Sequence, residues 1–177
     1  KLLSDDFFAW IDDPDFHDGI VREYIIINSV YPGKLHTLLE ERGYDYGEVH
    51  ALKISGRINH DDLRFIRDNL SYLTALNLRD ATIAGDYYER DCIANLDMGS
   101  ATQTRGVLAH VILPSNLRKI GYGAFQYAGL VGSIAIPEGV EEIEPYAFAN
   151  NNITGEVKLP STLKRIGEGA FADNPGI

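Results

Sequence analysis

Apolar residues recur along the second half of the chain at fixed places in a 23-residue frame. Aligned on Pro114, Pro137 and Pro160, each unit reads apolar-x-apolar-Pro, two residues, an apolar, two residues, Ile, three residues, then Ala-Phe. The leading pairs are Val111/Leu113, Ile134/Ile136 and Val157/Leu159, and the middle pairs are Leu117/Ile120, Val140/Ile143 and Leu163/Ile166. Alternation in the leading pair predicts a short strand, which the proline ends because it has no N–H for a ladder. Upstream the pattern loosens. Leu52/Ile54 and Leu76/Leu78 are 24 residues apart, whereas Leu78 and Leu113 are 35 apart, so an insertion is expected near residues 84–107. "HDDLRFIRDNL" carries Leu63, Ile66 and Leu70 at helical spacing, with Asp61 and Asp62 suited to a helix start. "REYIIINSV" predicts a strand, and "PGKLHTLLEERG" predicts a helix with Leu35, Leu38 and Leu39 on one face and Gly43 as its stop.

A period of 20 to 29 residues is the mark of a leucine-rich-repeat solenoid, whose units bury their apolar residues only against their neighbours. The expected fold is therefore an α/β, β-rich leucine-rich-repeat solenoid of about 23-residue coils with an N-terminal α/β cap. Residues 1–48 are assigned to the cap and residues 49–177 to the solenoid. Phe125, Phe148 and Phe171 should form one buried aromatic column. Arg118/Lys119, Glu141/Glu142 and Lys164/Arg165 lie one period apart, so stacking should align plus, minus and plus on adjacent rungs. After Phe171 comes "ADNPGI", where a next coil would begin. That end is expected to continue in a longer protein or to be covered by something else.

Composition narrows the functional classes. The 177 residues are 45% hydrophobic and 24% charged, an ordinary globular balance. A net charge of −10 repels phosphate, so nucleic acid and anionic membranes are poor partners. No run of 18 apolar residues predicts a transmembrane segment, and "KLLSDDFF" lacks the apolar stretch of a signal peptide, although one could have been removed already. Cys92 is the single cysteine, which excludes an internal disulfide and a cysteine-rich zinc site.

Candidate chemistry is sparse. "DDPDFHD", residues 12–18, gathers oxygen ligands but lacks the EF-hand spacing and glycine, and reads as a solvated acidic segment. His60, Asp61 and Asp62 are explained by a helix start. The five histidines have no ligand spacing, and nucleophile-elbow, P-loop and Rossmann glycine patterns are absent. Neither a catalytic residue nor a metal or cofactor site is assigned. Asn69 and Asn152 open glycosylation-type triplets, yet "NNNITG" fits a turn between coils because Asn tolerates positive φ. Tyrosines are the clearest interaction candidates. Tyr87 and Tyr88 fall in the insertion, and Tyr122 and Tyr127 fall in turns of the first regular coil. They either share a binding patch or pack against the coils.

"LPSNLRKIGYGAF", "IPEGVEEIEPYAF" and "LPSTLKRIGEGAF" resemble the BspA-like leucine-rich repeats of surface and secreted proteins in Bacteroides-type bacteria. "LKISGRINHDDLRFIRDNLSYLTALNLRDATI" is similar to the opening unit of such proteins, and the likeness covers residues 49–177, fading toward residue 33. The second unit departs from it: Glu144 and Pro145 stand in place of a glycine-containing turn, which puts that turn's geometry in question. The resemblance implies an exported, often lipid-anchored protein at the cell surface, either an outer-membrane lipoprotein or secreted. It implies a non-enzymatic role in adhesion or protein binding, toward host extracellular matrix protein or glycan. A structural spacer or stalk that displays another domain and a carbohydrate-binding module are the alternatives.

Overall fold

The computed structural model describes residues 24–85, 92–93 and 108–177. The acidic segment 12–18, Tyr87, Tyr88 and most of the expected insertion lie outside them. β1 (Tyr24–Val30), α1 (Leu35–Glu41) and a short 3-10 turn at Tyr46–Glu48 come first. β2 (Ala51–Ile58), α2 (His60–Asn69), β3 (Ala75–Asn77), β4 (Ala81–Ile83) and β5 (Cys92–Ile93) follow. The regular units then supply β6 (His110–Ile112), β7 (Lys119–Ile120), β8 (Val131–Ala135), β9 (Glu142–Ile143), β10 (Asn152–Lys158) and β11 (Arg165–Ile166). The result is mixed α/β with small parallel sheets. One runs β1-β2-β3-β6 with β4 also beside β2, a second runs β5-β7-β9-β11, and β8 pairs with β10.

Both helices stand where the apolar spacing places them, and one side chain ties them together. Asn59 caps α2 by accepting from the Asp61 and Asp62 N–H groups, and Asp62 answers by accepting from the Asn59 N–H. The same buried carboxylate also accepts from Gly33 at 2.8 Å and Leu35 at 3.0 Å, satisfying the start of α1, which has no side-chain cap of its own. Gly43 ends α1 in the left-handed conformation at φ 73°, and the Tyr44 N–H reaches back to the Leu39 carbonyl. Leu35 and Leu39 are buried, and Leu38 is partly buried.

Register follows the sequence period. Leu52 pairs with Leu76 and Leu76 with Val111, which are steps of 24 and 35 residues. In the second sheet Lys119, Glu142 and Arg165 are partners at steps of 23. β8 and β10 differ: Gly132 faces Ile153 but Ile134 faces Val157, so β10 carries two extra residues there. Ser133 Oγ accepts the Glu156 N–H across this irregularity.

The aromatic column forms. Phe125 and Phe148 stack at 5.3 Å with planes 6° apart, and Phe148 and Phe171 at 5.2 Å and 5°. Phe125 and Phe148 are fully buried, whereas Phe171 is only partly so, contrary to the expectation for all three. The reason is that no described unit lies on its far side. Each Phe N–H donates to the Ala carbonyl of the following unit, Phe125 to Ala147 and Phe148 to Ala170, both at 2.7 Å. The turn in question keeps its shape: Tyr146 adopts φ 60°, between Gly123 at 59° and Gly169 at 61°. A non-glycine residue there costs roughly 1–2 kcal/mol.

A buried asparagine stitches successive units. Asn151 Nδ2 donates to the carbonyls of Phe125, Phe148 and Ala149, while its Oδ1 accepts from the Gly129 and Leu130 N–H groups. Asn174, one period on, donates to Phe148, Phe171 and Ala172 and accepts from Ile153. Asn150, read in sequence as a turn residue, does sit at φ 58°. Its neighbour does the stitching.

Phe148→Ala should lower unfolding free energy in urea titration by roughly 3–5 kcal/mol, and Phe171→Ala by clearly less because that ring is half covered. Asn151→Ala strands two buried N–H groups and should cost about 3 kcal/mol in the same titration.

Candidate interaction surface

In the first two regular units the segment between the second-sheet strand and the Phe carries a tyrosine, Tyr122 and Tyr146, and Tyr127 follows Phe125. Tyr122 follows β7 and is 59% exposed, and Tyr127 occupies a left-handed turn position at φ 56° and is 42% exposed. The structure pairs Tyr122 with Tyr146, a residue the sequence reading passed over, edge-to-face at 5.8 Å and 77°. Two features fix this pair. The Tyr122 N–H donates to Glu144 Oε2 at 2.7 Å. A Cβ built on Gly169 would lie 2.8 Å from the Tyr146 ring, so glycine in the next unit makes room for it. Tyrosines held this way offer an apolar face and a hydroxyl at low entropic cost, the chemistry of interface anchors. A longer signal in the sequence, the tyrosine in the glycine position of "IEPYAF", marked Tyr146.

Beside the ring pair runs the ladder of charge. Glu141 lies between Arg118 at 3.5 Å and Lys164 at 2.8 Å, and Glu142 pairs with Arg165 at 3.0 Å. Lys119 departs from the expected rung and bonds Glu144 instead of Glu142. Glu144 thus replaces a turn glycine and does two tasks, holding Lys119 and the Tyr122 backbone. The hydrogen bond from Lys164 holds the Glu141 carboxyl below its ordinary value, Arg165 does so for Glu142, and Glu144 raises Lys119.

The other candidates have structural roles. Asp62 is consumed by the two helix starts described above. His60, Asp61 and Arg64 line an open hollow of about 420 Å³ with Pro32, Asn59, Ala84 and Gly85. Asp61 there is paired to Arg64. Cys92 is buried in β5. Among the described residues no three His, Cys, Asp or Glu side chains gather as metal ligands, and no helix is long and apolar enough to cross a membrane.

A family model of the BspA type leucine-rich repeat region, built of six copies, matches residues 102–177. These residues are similar to BspA-type leucine-rich repeats. The matched span holds all three regular units, the Phe column, both stitching asparagines and the tyrosine pair. Residues 51–83 precede the matched span and join it through the parallel pairing of β3 with β6. BspA-type repeats are generally interaction modules without catalytic machinery. No curated protein matches the chain.

Because Glu141 and Glu142 hold their protons less tightly when folded, acidification protonates the unfolded chain first. Their stabilisation is complete above the ordinary glutamate value of 4.5 and is lost as pH falls through the lower folded values. Glu141→Gln with Glu142→Gln should lower the thermal midpoint at neutral pH, and the gap to the parent should close on acidification. A gap that stays constant with pH would show that the ladder contributes nothing.

Proposed function

We propose that this protein is a non-enzymatic binding module acting at, or released from, a bacterial cell surface, with a protein of the host extracellular matrix or a glycan as its partner. The observation that carries this reading is the exposed Tyr122 ring held against the half-buried Tyr146 beside the charge ladder. Repeat proteins present such groups on a rigid frame, so little entropy is lost on binding. Tyr127, itself exposed, and Tyr87 and Tyr88 are included in the proposed patch on sequence grounds. Export, with or without a lipid anchor, is the setting in which BspA-type repeats are typically found.

We infer that the units form one continuous solenoid over residues 49–177, with residues 1–48 as its cap. The parallel pairing of β1 with β2 and the burial of Leu35 and Leu39 in the shared core support this division. A spacer role is the second reading, and the pairing of Glu141 with both Arg118 and Lys164 favours it, since charges met within the molecule attract a partner less strongly.

Binding to immobilised matrix proteins and glycans distinguishes the two. The parent should bind saturably, and Tyr122→Ser with Tyr146→Gly should weaken binding at least tenfold while the fold persists, because glycine suits φ 60°. Tyr87→Ala with Tyr88→Ala should weaken it further. Loss only in the second pair would move the site to the insertion, and no binding by the parent would leave the spacer.

A further inference from the structure

Successive units set equivalent side chains in rows along the outside of the repeat. Beyond the strand partners Lys119, Glu142 and Arg165 stand Tyr122, Pro145 and Glu168, one to a unit. Tyr122 and Glu168 are exposed, and Pro145 between them is half-buried. The row opens sideways. Tyr122 is exposed although the following unit is in place against its own, and its ring meets Tyr146 of that unit edge-to-face. A Cβ built on Gly167 would lie 2.6 Å from the Pro145 Cδ, so glycine there lets the proline settle on the next turn. The Tyr146 N–H donates to the Glu168 carbonyl at 3.1 Å, which fixes the far end of the row.

Charge along the row is one-sided. Glu141, Glu142 and Glu144 are each met by a cation, and the Lys119 charge is taken by Glu144. Among the described residues the Glu168 carboxylate has no such partner. The row five residues on has the same order, with Tyr127, Asn150 and then Asp173, a second exposed carboxylate without an ion pair among the described residues.

We propose that Tyr122, Tyr146, Pro145 and Glu168 bind a basic, proline-rich segment of a partner protein in the polyproline II conformation, with a proline on the tyrosines and an arginine or lysine against Glu168. The match is one of pitch. The Phe rings of successive units are 5.2 to 5.3 Å apart, so groups two units apart lie about 10 Å from one another. Polyproline II has three residues per turn and advances about 3.1 Å per residue, so residues i and i+3 share one side about 9 Å apart. A β-strand puts i and i+3 on opposite sides and does not fit the row. Aromatic rings are the platform on which proline-rich segments dock, and their preset helix loses little entropy on binding. The net charge of −10 draws a cationic segment in, and Glu168 sets its direction. A neutral glycan would meet the same rings but gain nothing from the unpaired charge.

The inference rests on the binding reading proposed above and narrows its partner to protein. The probes are a polyproline peptide with one arginine at its centre, the same peptide with glutamate there, and the arginine peptide with glycine in place of every proline. Binding to the whole protein is followed by fluorescence anisotropy at low salt. The arginine peptide should bind at least about tenfold more tightly than either counterpart. Added salt should narrow the gap to the glutamate peptide more than the gap to the glycine one. Glu168→Gln should bring the arginine and glutamate peptides together, and Tyr122→Ser should bring the proline and glycine peptides together. Both side chains are exposed, so neither variant should move the thermal midpoint by more than a few degrees. Equal binding of the three peptides, or a preference that neither substitution moves, overturns the inference. If the parent meanwhile binds matrix protein or glycan through the tyrosines, only the inference falls. If it binds neither those nor any peptide, the binding reading falls with it.

Discussion

A single unit leaves its backbone groups open on both flat sides, and only a neighbour in register closes them. Phe125 and Phe148 donate main-chain hydrogen bonds to the Ala of the next unit, and the strand pairs β7-β9-β11 do the same on another side. Buried backbone donors and acceptors without partners are costly, so this requirement fixes the step length before any side chain is chosen. Side chains then conform to it. Equal rings meet at 5.2 to 5.3 Å because equivalent residues in neighbouring units are a strand spacing apart.

The requirement is strict on the Phe side and loose on the strand side. From Ala124 to Phe148 every equivalent residue falls 23 places on, and the left-handed turn is held even where tyrosine must adopt it. β10 nonetheless accommodates two additional residues relative to β8, and Val111 pairs with Leu76 across a step of 35. An edge of sheet can bulge and resume, whereas a column of close-packed rings cannot.

This difference explains what could be read in the sequence. The first strand, the strands of the leading apolar pairs, both helices, the 24- and 35-residue steps and the Phe column follow from apolar spacing, since burial selects residue type at each period, whereas β4 and the two-residue strands β5, β7, β9 and β11 are too short to show an alternation. The Asn151 and Asn174 contacts do not, because each reaches into the preceding unit as well as its own, and the first regular unit has Ala128 at that position. Asn59 as a cap was masked by the acidic pair after it. Lys119 chose Glu144 over Glu142 because Glu144 emerges from a turn, where a side chain can reach diagonally, a geometry that a one-dimensional period does not encode. Tyr122 is exposed as its turn position suggested, but its partner Tyr146 stood in a slot that propensity reserves for glycine.

The alternating ladder also bears on how the chain avoids folding wrongly. Units this alike can dock on one another out of order, and the apolar rows of the first and third are nearly interchangeable. If the third settled on the first and looped out the second, Lys164 and Arg165 would meet Arg118 and Lys119, cation against cation. Opposite signs meet at each junction only when the acidic unit lies between the two basic ones. Hydrophobic rows make the units cohere, and the change of sign from rung to rung gives the chain a parity check on their sequence.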